Sequence, residues 1–215
     1  MTESNSTAAT PYFDEASSDW DQNPLVLDLA RSAVDNLTRY LNPEAGQIVM
    51  EYGCGTGLIA ESIVPKVDCV HAWDSSPGML AVLEAKIRQR PALPILPRLI
   101  DLLAAPIPAE RFDLIYSNMA LHHIEDTSRL FDVLRQLTVP GGRVALIDLD
   151  TEDGSFHGSR EGIHHLGFER DEVARQLEAA GFTDVEVCTA YEFSRTGDDG
   201  VAREYSQFLL TGRGN

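Results

Sequence analysis

The sequence contains no apolar run approaching the ~20 residues that a membrane-crossing helix needs. Its opening, MTESNSTAATPYF, has neither the basic start nor the apolar core of a secretory signal. A cytoplasmic location is the expectation that follows. Positive charge is also scarce: 17 Lys and Arg stand against 34 Asp and Glu, for a formal net charge of −17. Nucleic acids and anionic membranes are met through basic patches, so the overall field argues against both as partners. Cysteine is sparse and odd in number, and Cys54, Cys69 and Cys188 match no zinc spacing. Reduced thiols are the simplest reading, and nothing near Cys54 would lower the pKa of a nucleophilic thiol. There are no internal repeats and no low-complexity linker. Monomer and homodimer are both open.

What is present is a rhythm of strand, turn and helix. The chain of 215 residues suits one domain, with residues 1–23 as a flexible N-terminal segment or lid and 24–215 as the domain. A helix is predicted from Pro24, with Leu25, Leu29, Ala33 and Leu37 on one face. Strands are predicted at 47–52, 68–74, 94–100, 111–118 and 141–150, the third a poor one because of its prolines. Helices are predicted at 58–63, 76–90 and 127–139 between them. That alternation predicts an α/β fold, a mostly parallel sheet with helices on both faces. After residue 150 the pattern breaks into an irregular stretch rich in Gly and His. A helix ended by Gly181 follows, then two strands joined by SRTGDDG, read as an antiparallel hairpin on the sheet edge.

The first strand runs into MEYGCGTGLIAES, with Gly53, Gly55 and Gly57 at every second position. Ligands of open α/β sheets sit outside the carboxyl ends of the strands, so this loop lies where a ligand is expected. A dinucleotide fingerprint needs G-x-G-x-x-G, but Leu58 occupies the place of its third glycine. The observed G-x-G-x-G suits a ligand without phosphates lying against the loop. Asp74 ends the second strand, where a carboxylate can accept from both hydroxyls of a ribose. NAD and S-adenosylmethionine both carry one, so Asp74 alone does not choose between them.

The blocks VMEYGCGTG, AWDSSPGML, LIDLLAAPIPAERFDLIYSNMALHHIED and VPGGRVALIDL resemble, in order and spacing, the class I S-adenosylmethionine-dependent methyltransferases. The likeness covers residues 47–150 and is nearest to small-molecule methyltransferases such as those of quinone biosynthesis. It implies a Rossmann-like seven-stranded sheet with an antiparallel C-terminal strand. It implies S-adenosylmethionine as cofactor and S-adenosylhomocysteine as product. Carried over residue by residue, Glu51 with the backbone of Gly53 and Gly55 meets the methionine end of the cofactor, and Cys54 and Gly57 of the same loop count among its binding residues. The family often has Asp where Glu51 stands. Asp74 holds the ribose, Ser75 and Met79 flank the adenine, and Asp101 and Leu102 meet its edge and face. Ser117 and Asn118 border the transferring methyl. Tyr12, Phe13 and Trp20 resemble the aromatic residues of a closing segment. Plainer roles stay open: Met79 as core, Asp101 and Asn118 as turn caps.

The acceptor is open, and oxygen, nitrogen, sulfur and carbon all fit. SNMA stands where a D-P-P-Y type motif would indicate amide or nucleobase-amine methylation. His122, His123, His157 and His165 are the catalytic candidates, because imidazole can take a proton from a hydroxyl or amine near neutral pH. His157, His164 and His165 share one stretch, whose spacing is not a standard zinc pattern, and no metal is expected. A non-catalytic relative that binds the cofactor or a partner chain is the alternative, and an NAD(P)-dependent oxidoreductase a more distant one.

Overall fold

The computed structural model describes residues 10–158, 161–197 and 199–215. Met1 to Ala9, the greater part of the polar opening, therefore lies outside the described residues. Thr10 opens helix α1, Thr10–Ala16. Helix α2 spans Pro24–Asn36 and runs on as a wider turn to Leu41. Its start is set by local chemistry: the Asn23 side chain accepts from the Leu25 N–H, and Pro24 takes the first position, where a missing N–H costs nothing.

Seven strands form one sheet. They are β1 (Ile48–Tyr52), β2 (Cys69–Asp74), β3 (Ile95–Leu99), β4 (Phe112–Asn118), β5 (Thr138–Leu149), β6 (Phe182–Thr196) and β7 (Ala202–Gly214). The spatial order is β3-β2-β1-β4-β5-β7-β6. The first five strands pair in parallel, and β7 runs antiparallel to both its neighbours. The order reverses between β1 and β4, so their carboxyl ends flank the crevice where such sheets take ligands. The predicted hairpin is present, but its second strand lies inside the sheet and its first forms the edge. β3 forms in spite of Pro97, which pairs with Ala72 on β2 only. On an edge strand the ring faces away from any further partner and no ladder bond is lost.

Alternation along the central strands builds a core on each face. Val49, Leu114, Tyr116, Ala145 and Ile147 pack toward α2, α3 (Leu58–Ile63) and α4 (Pro77–Gln89). Met50, Ile115, Val144 and Leu146 pack toward α5 (Thr127–Leu137) and α6 (Arg170–Ala179). A period of two in sequence thus becomes two layers of helix. Ser76 caps α4 by accepting from the Met79 N–H, Asp126 caps α5 by accepting from the Arg129 N–H, and Gly181, at φ +94°, closes α6. No helix among the described residues is long and apolar enough to cross a membrane.

Candidate active site

The glycine loop is fastened to β2 by two hydrogen bonds, from the Gly53 and Cys54 N–H groups to the Trp73 carbonyl at 2.9 and 3.1 Å. All three glycines have positive φ: +69° at Gly53, +53° at Gly55 and +82° at Gly57. A side chain would be strained at each, but space divides them. A Cβ at Gly53 would lie 2.7 Å from the Ala120 Cβ, and one at Gly57 would lie 2.5 Å from Leu83 Cδ1. Gly55 alone of the three leaves room for a Cβ, which would stand at ordinary contact distance from Met79 Sδ at 3.9 Å and Trp20 Nε1 at 4.0 Å. Gly53 and Gly57 are thus required by the protein's own packing, which corrects the expectation that the loop glycines serve a ligand alike.

The loop opens on a cavity of about 840 Å³ along the carboxyl ends of the strands. Glu51, Gly53, Cys54, Gly55, Asp74, Ser75, Met79, Asp101 and Asn118 all line it, and so do Tyr12 and Trp20. Asp74 is engaged by the loop itself: its two carboxylate oxygens accept from the Gly55 N–H at 2.7 Å and the Ser76 N–H at 2.8 Å. Burial raises its pKa, against those donors. Glu51 is deeper still. Burial pushes its carboxyl up to about 8, although Tyr116 Oη donates to it at 3.0 Å. Burial likewise raises the Cys54 thiol well above its ordinary value, consistent with an unreactive residue.

Three residues assigned to the cofactor lie elsewhere. Leu102 is buried in the α5-side core with Trp73 and Phe112, because the turn after β3 directs it inward. Ser117 is buried and donates to the Tyr52 carbonyl at 2.8 Å, tying β4 to β1. Gly57 sits behind the loop against Leu83. Asp101 does line the cavity, yet its carboxylate also caps the following turn by accepting from the Leu103 N–H at 2.9 Å.

Tyr12, Phe13 and Trp20 of the N-terminal segment line the cavity. They form a run of edge-on rings, and Phe13 meets the His123 ring edge-on at 5.0 Å between centroids. Two aspartates anchor this segment. Asp14 Oδ1 accepts from Ser76 Oγ at 2.6 Å and from the Gly78 N–H at 2.8 Å. Asp21 accepts from Thr56 Oγ1 and pairs with Lys86 Nζ at 2.6 Å. Asp14→Ala removes a capping interaction from α4 and should cost about 1 kcal/mol. It should also speed protease cleavage before Asn23. Urea unfolding and timed proteolysis measure the two effects, and an unchanged cleavage rate would mean that Asp14 does not hold the segment down.

At the far side of β4 stand the histidines. His122 Nδ1 lies 2.7 Å from Asp148 Oδ1, and both side chains are buried. A carboxylate only accepts, so Nδ1 donates to it, and in the neutral ring Nε2 is the nitrogen with the lone pair. Burial alone would raise the Asp148 pKa, but His122 beside it and the Leu149 N–H hold it below its ordinary value. The Leu121 N–H at 2.8 Å adds a further donor to this carboxylate. His122 Nε2 is buried and has no hydrogen-bond partner among the described residues. His122, His123 and His157 line the cavity with their rings close together, His122 lying 4.1 Å from His123 and 4.4 Å from His157. His123 donates from Nδ1 to the Gly162 carbonyl at 2.8 Å, and burial, with His122 adjacent, pushes its pKa down to about 3. His165 is not part of the site. Its Nε2 bonds the Ile124 carbonyl at 2.8 Å and its ring packs on Phe168, which pins the segment after β5 in place. No group of three His, Cys, Asp or Glu among the described residues could hold a metal ion.

Residues absent from the sequence-based assignment also reach the site. Asp148 is one, and a lone acid within the apolar run VALIDL was a signal for it. Phe156, Ser194 and Arg195 are others, brought in by the segment after β5 and by the end of β6, with no local pattern to announce them.

Fold and site together define a doubly wound α/β domain with its ligand cavity at the strand-order reversal. A family model described as a methyltransferase domain matches residues 50–146. An uncharacterised methyltransferase of Mycobacterium tuberculosis is 33% identical over 132 residues, covering 61% of this chain and 63% of that protein. A malonyl-[acyl-carrier protein] O-methyltransferase of Halorhodospira halophila is 30% identical over 185 residues, covering 80% of this chain and 60% of that one. Each match thus spans less than two thirds of the relative's own length. Among solved structures, the DhpI–SAH complex aligns with a TM-score of 0.74 at 20% identity, covering 100% of this chain and 99% of that chain. Residues 50–146 thus match a methyltransferase domain, and the whole chain shares the fold of a protein solved with SAH.

Proposed function

We propose that this protein transfers a methyl group from S-adenosylmethionine to a small-molecule acceptor, with His122 as general base. The single observation that carries this is the sharing of one cavity by the glycine loop, Asp74 and the Asp148-oriented His122. The residues fit the cofactor. Gly55 leaves a backbone face on which no side chain intrudes, and Asn118 Oδ1 is buried at the cavity wall with no partner among the described residues. Glu51 would hold the amino group of the methionine end, and Asp74 the ribose hydroxyls.

S-adenosylmethionine supplies an electrophilic methyl on a sulfonium, a good leaving group once alignment is achieved. The chain's part is to align the acceptor and exclude water. The acceptor heteroatom gains the methyl carbon, the carbon–sulfur bond breaks, and the acceptor's proton goes to His122 Nε2. In the neutral ring Asp148 holds the proton on Nδ1, which leaves Nε2 as the accepting nitrogen, and it stabilises the imidazolium that forms. The segment from α1 to Trp20 serves as the lid, supported by its aromatic run and by the aspartates that anchor it.

Titration calorimetry with S-adenosylmethionine and S-adenosylhomocysteine, wild type beside Asp74→Ala, tests the reading. Binding that is lost in the variant supports it. Absence of binding in the wild type favours a non-catalytic relative that holds a partner chain instead.

Glu51 gives a pH signature. With its carboxyl pushed up to about 8, the unliganded protein holds a proton there at neutral pH. Meeting an ammonium requires that proton to leave. Affinity for S-adenosylhomocysteine should therefore weaken as pH falls below about 8, by up to about tenfold per unit, with proton release on binding. The linkage to stability has the opposite sense. The unfolded chain ionises Glu51 in the ordinary carboxyl range, so the folding contribution is full below that range and is lost as pH rises toward 8. Glu51→Gln should flatten both dependences in calorimetry and thermal unfolding. A pH-independent affinity in the wild type would exclude Glu51 from the ammonium site.

A further inference from the structure

Among the described residues, four carboxylates line the cavity, Glu51, Asp74, Asp101 and Glu161, and one guanidinium, Arg195. Glu51, Asp74 and Asp101 belong to the end built by β1, β2 and the turn after β3. Arg195 lies across the sheet near the carboxyl end of β6, against the segment that carries His157. It is held there by its own contacts. One Nη donates to the Phe156 carbonyl oxygen, and the guanidinium lies 4.9 Å over the Phe156 ring.

Arg31, Arg88, Arg90, Arg98, Arg170, Arg175 and Arg203 each pair with a carboxylate. Acids outnumber bases 34 to 17, so partners are plentiful. Arg195 pairs with no carboxylate among the described residues. Arg39, Arg111, Arg129, Arg143 and Arg213 likewise meet a ring or carbonyls and no carboxylate among the described residues. What sets Arg195 apart is its place on the cavity wall. Its site uses a carbonyl and a ring instead, which position the fork without neutralising it. A fixed, half-buried positive charge at the wall of a cavity attracts an anion, and a planar fork matches carboxylate or phosphate oxygens.

We propose that Arg195 binds an anionic group of the methyl acceptor, a carboxylate or a phosphate, while the acceptor's nucleophile lies at His122. The proposal rests on the methyl-transfer reading of the cavity. The two positions are distinct requirements. An acceptor whose carboxylate were itself methylated would have no proton to lose, and the Asp148–His122 pair would be idle. The substrate class is therefore a hydroxy, amino or thiol compound that also carries an acid. The net charge of −17 repels free anions from the molecule as a whole, so anion binding here would need this specific site.

The test uses S-adenosylhomocysteine-saturated protein and two minimal probes, acetate and inorganic phosphate. The readouts are the Arg195 Nε–H and the His122, His123 and His157 imidazole signals in nitrogen-15 NMR. A saturable shift at Arg195 is expected in the wild type. The histidine shifts should need about tenfold or more probe in Arg195→Gln, with Arg195→Lys intermediate. Stronger binding of acetate points to carboxylate acceptors, and stronger binding of phosphate to phosphorylated ones. An Arg195 signal that ignores both anions overturns the proposal, as do histidine shifts that are the same in Arg195→Gln. Affinity for S-adenosylhomocysteine and thermal unfolding are measured on every variant. Intact cofactor binding with an indifferent Arg195 removes this inference alone. Absent binding in the wild type removes the methyl-transfer reading and this inference with it.

Discussion

Asparagine in place of His122 should lower methyl transfer by about 10²–10⁴-fold, the range a positioned general base supplies, while leaving affinity for S-adenosylhomocysteine unchanged. The argument is geometric. Nδ1 is committed to Asp148 at 2.7 Å, and Nε2 is buried without a partner at the cavity wall. A buried imidazole with one nitrogen left open is costly unless something uses it. Asp148→Asn should lose activity by a second route. Its amide can donate to Nδ1, which moves the imidazole proton to Nε2 and removes the base. The same amide nitrogen, standing where Oδ1 now does, cannot accept from the Leu149 N–H that this oxygen satisfies. A stability loss of about 1–3 kcal/mol should therefore accompany Asp148→Asn. Turnover is followed as S-adenosylhomocysteine release with an acceptor found by screening, and added imidazole should partly restore His122→Asn or a smaller variant. Full turnover in His122→Asn would leave His122 a scaffold residue and place the base elsewhere.

Valine at position 57 should destabilise the protein by several kcal/mol, about 2–6 in all. The residue has φ +82°, and its Cβ would lie 2.5 Å from Leu83 Cδ1 on α4. The backbone strain is about 1–3 kcal/mol, and forcing a side chain into a packed interface adds about 1–3 kcal/mol more. Together these are a large share of the roughly 5–15 kcal/mol that holds a domain folded. Gly55→Ala makes the contrast. It bears a similar backbone penalty at φ +53°, but its Cβ would meet Met79 and Trp20 only at ordinary contact distance. Its main effect should fall on affinity for S-adenosylhomocysteine. Urea unfolding and calorimetry on both variants separate the two. Gly57→Val with native stability and lost affinity would reverse these roles.

The sequence announced what is local and periodic. The central strands were legible, as was the start of α2 at Pro24, because those signals reside in a few adjacent residues. So was the glycine loop with Asp74 about twenty residues on. Pro97 misled about the quality of β3, since edge position is decided by the neighbours a strand lacks. The hairpin was visible, but nothing local says that β7 enters the sheet ahead of β6. Leu102 followed the family pattern by position, yet the turn after β3 buries it. The acceptor side was least legible. His122 was visible as one histidine of several, and only the fold shows that Asp148, 26 residues away, selects it from His123 and His165. Arg195 depends on a contact with Phe156 across 39 residues, which no window on the sequence reveals.

The place of β7 between β5 and β6 also sets an order of assembly. β6 touches the parallel part of the sheet only through β7, which follows it in the chain. A ribosome can therefore deliver the glycine loop, Asp74 and both histidines of the LHH pair well before the wall that bears Arg195 can pair into the sheet. Residues 202–214 must emerge first. During synthesis the cofactor half of the cavity can take shape early, whereas the acceptor half waits for a strand that contributes none of its lining.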